Sequence, residues 1–232
     1  MSATRPFRLQ HGVVALAILI FVSLFAFAIL QPIQVLPRIS IGPGFVFRDQ
    51  NGQRLTSEEL RGQFVIYNFT YTSCQTPCPQ TGEVMRQIQQ RLQNVDTGAI
   101  PVRLVTISFD PARDTPEKLA AYATRLGADL SNWRFVTGEA GLLKQVIGGG
   151  FSTYYAPTSG TNGGAATGDF VFDPAFVLTD GWGILRAEYR TAVPDVDMIA
   201  RDLGLLAQEV RNSRGAARYA YEAAHLFLCY PR

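Results

Sequence analysis

Apolar positions along the chain fall into one long run near the start and, after it, short runs separated by turn residues. From Val13 to Leu30 only Ser23 is polar, a stretch of 18 residues. As a helix this stretch would span ~27 Å, close to the ~30 Å hydrocarbon core of a bilayer. The pattern predicts a transmembrane anchor over residues 12–30. Arg5 and Arg8 precede it, and no further Arg, Lys, Asp or Glu comes before Arg38. The short amino terminus (1–11) is therefore expected in the cytoplasm and the remainder outside. Ala26-Phe27-Ala28 has the form of a signal-peptide cleavage site. The run continues past it through Ile29 and Leu30, which favours a retained anchor.

Gln31 to Pro43 holds three prolines and Gly42 and reads as an extended linker. Phe45-Val46-Phe47 predicts a strand and Asn51-Gly52 a turn, because this dipeptide tolerates positive φ. Thr56-Ser57-Glu58-Glu59 has capping-box spacing and should open a short helix. Gln63 to Phe69, Val102 to Phe109 and Trp133 to Val136 are rich enough in β-branched and aromatic residues to form buried strands. Between them, Gly82 to Leu92 and a segment opened by Thr115-Pro116-Glu117 read as helices. The second carries Leu119, Ala120, Tyr122, Ala123 and Leu126 on one side. Leu142 to Ile147 is a further helix, ended by Gly148-Gly149-Gly150. Residues 158–168 read as a flexible loop or hairpin tip. Phe170 to Leu178 and Ile184 to Tyr189 are expected to pair across Asp180-Gly181-Trp182-Gly183, and Asp195 to Val210 is an amphipathic helix. This alternation implies an α/β fold with helices on a mixed sheet.

Composition narrows the chemistry. Removing the anchor and linker from 232 residues leaves enough chain for one domain. The charge sum, 21 − 19 = +2, lacks the basic footprint of a nucleic-acid binder. With only two histidines, His11 and His225, a zinc site built on several histidines is excluded. Three cysteines are too few for a disulfide scaffold. Two of them, Cys74 and Cys78, stand four apart between a predicted strand and a predicted helix. With Cys78 in the first helical turn, both sulfurs share a face and free backbone amides favour thiolate. Two such thiolates can hold a soft ion, Cu(I) being the best match, or cycle between dithiol and disulfide. A purely structural disulfide, or two buried thiols, is the plainer alternative.

Three blocks in this order resemble the Sco/SenC family. Cys74-Gln75-Thr76-Pro77-Cys78-Pro79 resembles its CxxxCP motif. Thr106-Ile107-Ser108-Phe109-Asp110-Pro111-Ala112-Arg113-Asp114-Thr115-Pro116 is similar to its strand followed by DPxRDTP, and Trp133-Arg134-Phe135-Val136-Thr137-Gly138 to its W-x-F-L-T-G strand. The resemblance covers roughly Gly44 to Leu206. It implies a thioredoxin-like fold over 44–212, a mixed central sheet flanked by helices, carried by one amino-terminal transmembrane helix. It also implies a single-pass protein of the cell membrane whose domain faces the periplasm or an equivalent space. Such a protein would bind Cu(I) through Cys74 and Cys78 and help mature the copper site of a respiratory cytochrome c oxidase. Some relatives are proposed to act on that site as thiol reductases.

The chain departs from the family at its third copper ligand, a histidine near the start of the strand expected at Phe176. Asp173 falls at or next to that place and is the candidate replacement; a solvated strand-end residue is the equal alternative. Without imidazole, weak or absent Cu(II) binding is expected, and a carboxylate facing the sulfurs would raise their thiol pKa values. Pro174 resembles the cis-proline that faces the cysteine pair in thioredoxin-fold oxidoreductases, although an ordinary trans proline at a strand start is the commoner case. In the tail, 213–232, Tyr219 to Tyr230 is too short to span a bilayer. It reads as a helix docked on a partner, on the membrane surface or on its own domain. Cys229 reads as a buried free thiol or an intermolecular disulfide partner. Three functional readings stay open: copper delivery to an oxidase, thiol–disulfide exchange with Cys74 attacking and Cys78 resolving, and an accessory subunit of a respiratory complex with a degenerate metal site.

Overall fold

The computed structural model describes residues 6–30, 33–74, 78–158, 161–162, 165–166, 169–215 and 217–227. The chain runs α1 (Pro6–Leu30), β1 (Ser40–Ile41), β2 (Val46–Asp49), β3 (Arg54–Thr56), β4 (Phe64–Thr70), α2 (Thr81–Leu92), β5 (Val102–Ser108), α3 (Pro116–Leu126), β6 (Trp133–Thr137), α4 (Ala140–Leu143), β7 (Tyr155–Pro157), β8 (Thr161–Asn162), β9 (Ala165–Ala166), β10 (Phe170–Phe172), β11 (Phe176–Thr179), β12 (Ile184–Tyr189), α5 (Val196–Arg211) and α6 (Ala217–Phe227). It forms two units, Leu36–Arg211 and a second one made of Met1–Val35 with Asn212–Arg232.

The larger unit is a mixed eight-stranded sheet in the order β1-β12-β11-β4-β5-β6-β2-β3. β4, β5 and β6 run parallel, each joined to the next by a helix, while β11, β12 and the flanking strands pair antiparallel. Every residue of β4 is buried, as a central strand covered on both faces requires. Its period-two alternation sorts the core. Phe64 and Ile66 pack with α2, α3 and α5 through Met85, Leu119 and Leu203. Val65, Tyr67 and Phe69 pack on the other face with Leu143, Ile147, Phe151 and the β7–β10 pair. The thioredoxin-like architecture expected from the sequence is thus present.

Several local expectations change. Of the expected linker 31–43, the described residues 33–43 are far from a free linker. Leu36 is fully buried in the core, Ile39 N–H donates to the Leu185 carbonyl (2.8 Å), and Ser40–Ile41 pairs with β12 as an edge strand. Gly148-Gly149-Gly150 end the helix as its last three residues, within a π-helical turn, Lys144–Gly150, that continues α4, and not as a break after Ile147. The strand expected over 170–178 breaks at Asp173-Pro174-Ala175, so β10 leaves the main sheet to pair with β7. The capping box at Thr56 is formed as expected. Thr56 N–H donates to Glu59 Oε2 (2.7 Å) and Glu59 N–H to Thr56 Oγ1 (3.2 Å), opening the short 3-10 helix Glu58–Leu60. Thr115 stands at the start of α3, yet its hydroxyl makes no capping bond.

In the smaller unit, Tyr221 and Ala224 of α6 pack on Val35 and Ile33. Among the described residues no helix is long and apolar enough to cross a membrane. Within α1 the side chains described without a break are those of residues 11–23, and the large apolar ones among them are exposed. Cys229 lies outside the described residues.

Candidate functional site

Strand β4 ends at Thr70 and hands the chain to a loop carrying Tyr71, Thr72, Ser73 and Cys74. Cys74 and Cys78 are joined by a disulfide, with their Cα atoms 5.9 Å apart. Both are half-buried, and Cys74 packs against the aromatic side of the core. Cys78 stands outside the helix, whose start agrees with the expected Gly82, so the condition that would put Cys78 in the first turn is not met. α2 begins only at Thr81, and Pro77 and Pro79 flank the cysteine, where proline removes a donor and restricts the backbone. Residues 75–77 lie outside the described residues.

The loop is fixed from below by residues that sequence reasoning quoted only as part of a motif. Asp114 is fully buried. It accepts Thr72 N–H (2.8 Å), Thr72 Oγ1–H (2.5 Å) and Ser108 Oγ–H (2.5 Å). The turn after β5 places it there: Asp114 N–H donates to the Asp110 carbonyl (2.9 Å), and Arg113 pairs with the buried Asp110 carboxylate. Burial pushes the Asp110 carboxyl pKa up, and Arg113 opposes the rise. A second tether runs to β10. The Tyr71 hydroxyl donates to Asp169 Oδ1 (3.1 Å) and accepts Phe170 N–H (3.3 Å). The Arg113 guanidinium lies 5.6 Å from the Tyr71 ring centre and 5.7 Å from that of Phe170, within cation–π range. Burial raises the Tyr71 pKa, and the Phe170 amide opposes the rise. Asp110, Arg113 and Asp114 had one usable signal in the sequence, three charges packed directly behind an apolar strand. Such charges persist in a core only when paired.

The structure brings Cys74 and Cys78 together and leaves the other candidates elsewhere. Asp173 is exposed after β10, its N–H bonded to the Tyr154 carbonyl (3.0 Å). Pro174 is half-buried just before β11. His11 lies on α1 and His225 on α6. Among the described residues no group of three or more His, Cys, Asp or Glu side chains could hold a metal ion. The donor set at the loop is therefore two sulfurs. As a disulfide they ligate nothing; as thiolates they suit a soft, low-coordinate ion such as Cu(I), and lack the nitrogen that Cu(II) prefers.

A family model described as SCO1/SenC matches residues 34–205. A SCO1 protein homolog of Bacillus subtilis (strain 168) is 33% identical over 96 residues, covering 40% of this chain and 47% of that protein. The chain spans about half the length of the curated relatives it matches. Among solved structures, a SCO1/SenC family lipoprotein from Bacillus anthracis str. Ames shares 25% identity, covering 72% of this chain and 95% of its own, with a TM-score of 0.63. Arabidopsis thaliana ScoI, crystallised with copper bound, shares 23% identity over 74% of this chain and 99% of its own, with a TM-score of 0.59, a likeness of fold.

Proposed function

This chain belongs to the SCO1/SenC family, and from that premise we propose that it binds Cu(I) through Cys74 and Cys78 and assists assembly of the copper site of a respiratory cytochrome c oxidase. One observation carries the reading: two sulfurs on one loop, close enough to form a disulfide and so to share one ion. Reduction of that disulfide takes two electrons and two protons and yields two thiols. Cu(I) binding then displaces thiol protons as thiolates form. The buried Asp114 holds the loop in place and leaves both sulfurs to the metal.

The disulfide itself supports thiol–disulfide exchange as a second reading. The Cys74 thiolate would attack a disulfide of the copper-site protein, forming a mixed disulfide and releasing one thiolate of the partner. Cys78 would then attack the Cys74 sulfur, freeing the second partner thiol and leaving the Cys74–Cys78 disulfide. The anchor belongs to the same proposal. In this reading the apolar run Val13–Leu30 crosses the membrane, with Arg5 and Arg8 on the cytoplasmic side and the domain in the extracytoplasmic space. The apolar run and its flanking charges support this.

The test is the copper content of the oxidase purified from host cells lacking this chain. Copper is expected to fall, to recover with the wild-type chain, and to stay low with Cys74→Ser/Cys78→Ser. Full recovery with the double variant would sink both cysteine-based readings and leave the accessory-subunit role.

A further inference from the structure

The turn between β11 and β12 does not need its tryptophan. Asp180 builds it: Oδ1 accepts Trp182 N–H (2.9 Å) and Ile184 N–H (3.1 Å), and its carbonyl accepts Gly183 N–H (2.8 Å). Gly183 supplies the positive φ of +73°, and the Gly181 carbonyl accepts Gly62 N–H (2.8 Å). Trp182 is nonetheless 77% exposed on this rigid support. Gly42 N–H donates to the Gly183 carbonyl (2.8 Å) and Ile41 pairs with Ile184, which brings β1 to the same corner. Ile41 is 79% exposed and Ile39 45%, the two sharing a face by strand alternation. The Arg61 guanidinium donates to the Trp182 carbonyl and pairs with Glu58 Oε1 (3.3 Å), so a half-exposed ion pair borders the apolar side chains.

We propose that this corner, Trp182 with Ile41, Ile39 and Arg61, rests on the lipid interface of the membrane that holds α1. The inference depends on the anchor reading. Given the anchor, α1 ends at Leu30, and the nine residues from there to Ile39 reach at most roughly 30 Å. The corner cannot leave the neighbourhood of the bilayer. Its composition fits that surface: an indole is apolar with one polar edge and favours the headgroup level, and the exposed Ile41 and Ile39 add apolar area beside it. Edge pairing with a second copy fits poorly, because β1 is only two residues long and lies between Pro37 and Pro43.

The chain has two tryptophans, and the other, Trp133, is fully buried, an internal reference. The full chain is reconstituted in phosphatidylcholine–phosphatidylglycerol vesicles with and without brominated acyl chains. Alkaline carbonate should leave it in the vesicle pellet; release would overturn the anchor and this inference with it, while the copper reading keeps its own test. With the chain retained, brominated lipid is expected to remove the Trp182 share of the emission. Trp182→Phe should abolish that lipid-dependent loss, and Ile41→Asp should diminish it. Emission indifferent to brominated lipid but quenched by aqueous iodide would overturn the proposal.

Discussion

Asp114 carries a carboxylate whose three hydrogen bonds tie Thr72, two residues before Cys74, to Ser108 at the end of β5. Asp114→Ala leaves those donors unmade, at a cost on the order of 1–3 kcal/mol for a buried donor. Urea unfolding should report that loss, and the Cys74–Cys78 disulfide should be reduced faster by dithiothreitol once Thr72 is released. Unchanged reduction kinetics in the variant would separate Asp114 from the loop. Asp173 gives the opposite expectation. If two sulfurs are the whole donor set, Asp173→Asn should bind Cu(I) as tightly as the wild type in a chelator competition, and a marked loss of affinity would return the carboxylate to the site. The cysteines were legible in the sequence because four-residue spacing is itself chemistry. The partnership of Asp114 with Thr72 was not, because it spans 42 residues and only the folded sheet closes it.

At the scale of elements, the strand following α1 depends on one buried cation. Arg186 of β12 is 3% exposed and bonds Asp180 Oδ2 (2.9 Å), Glu209 Oε2 of α5 (2.6 Å) and the carbonyls of Leu36 (2.8 Å) and Pro37 (3.1 Å). Truncating one partner of a buried ion group costs about 3–5 kcal/mol, because the other charges stay behind. Arg186→Met should lower the urea midpoint accordingly and speed amide exchange at Ile39, whose N–H bonds β12. A midpoint shift within error would contradict this. Composition hid the element: three prolines between Gln31 and Pro43 read as a linker, and nothing local signals that Leu36 fills a core position. Where both faces of a strand are covered, as in β4, β-branched and aromatic residues on both faces made it legible despite the buried Asn68. Asp173-Pro174-Ala175 divides what looked like one strand, since proline cannot continue the hydrogen-bond ladder.

For the whole molecule, buried tyrosines set the alkaline limit. Burial raises the pKa of Tyr67 strongly, that of Tyr155 to about 12, and those of Tyr71 and Tyr122 less. Each folded value lies above the unfolded one, near 10, so the folded state keeps protons that the unfolded chain has released. This stabilising contribution is complete below pH ~10 and is lost as pH rises through the folded values. Urea midpoints should fall above pH ~10. A midpoint that holds as pH rises past ~10 would contradict the burial argument. The succession of strands and helices along the chain, the mixed sheet, the turn at Trp182 and the cysteine loop were legible from alternation, turn residues and the three motif blocks. The order of strands across the sheet was not, nor the meeting of β1 with that turn, because both pair segments far apart in the chain. The central claim concerns the sulfur pair, and Cu(I) titration of the reduced full chain against a competing chelator tests it most directly. One-to-one binding that Cys74→Ser/Cys78→Ser abolishes is the predicted result; no binding, or binding undiminished in that variant, would contradict it.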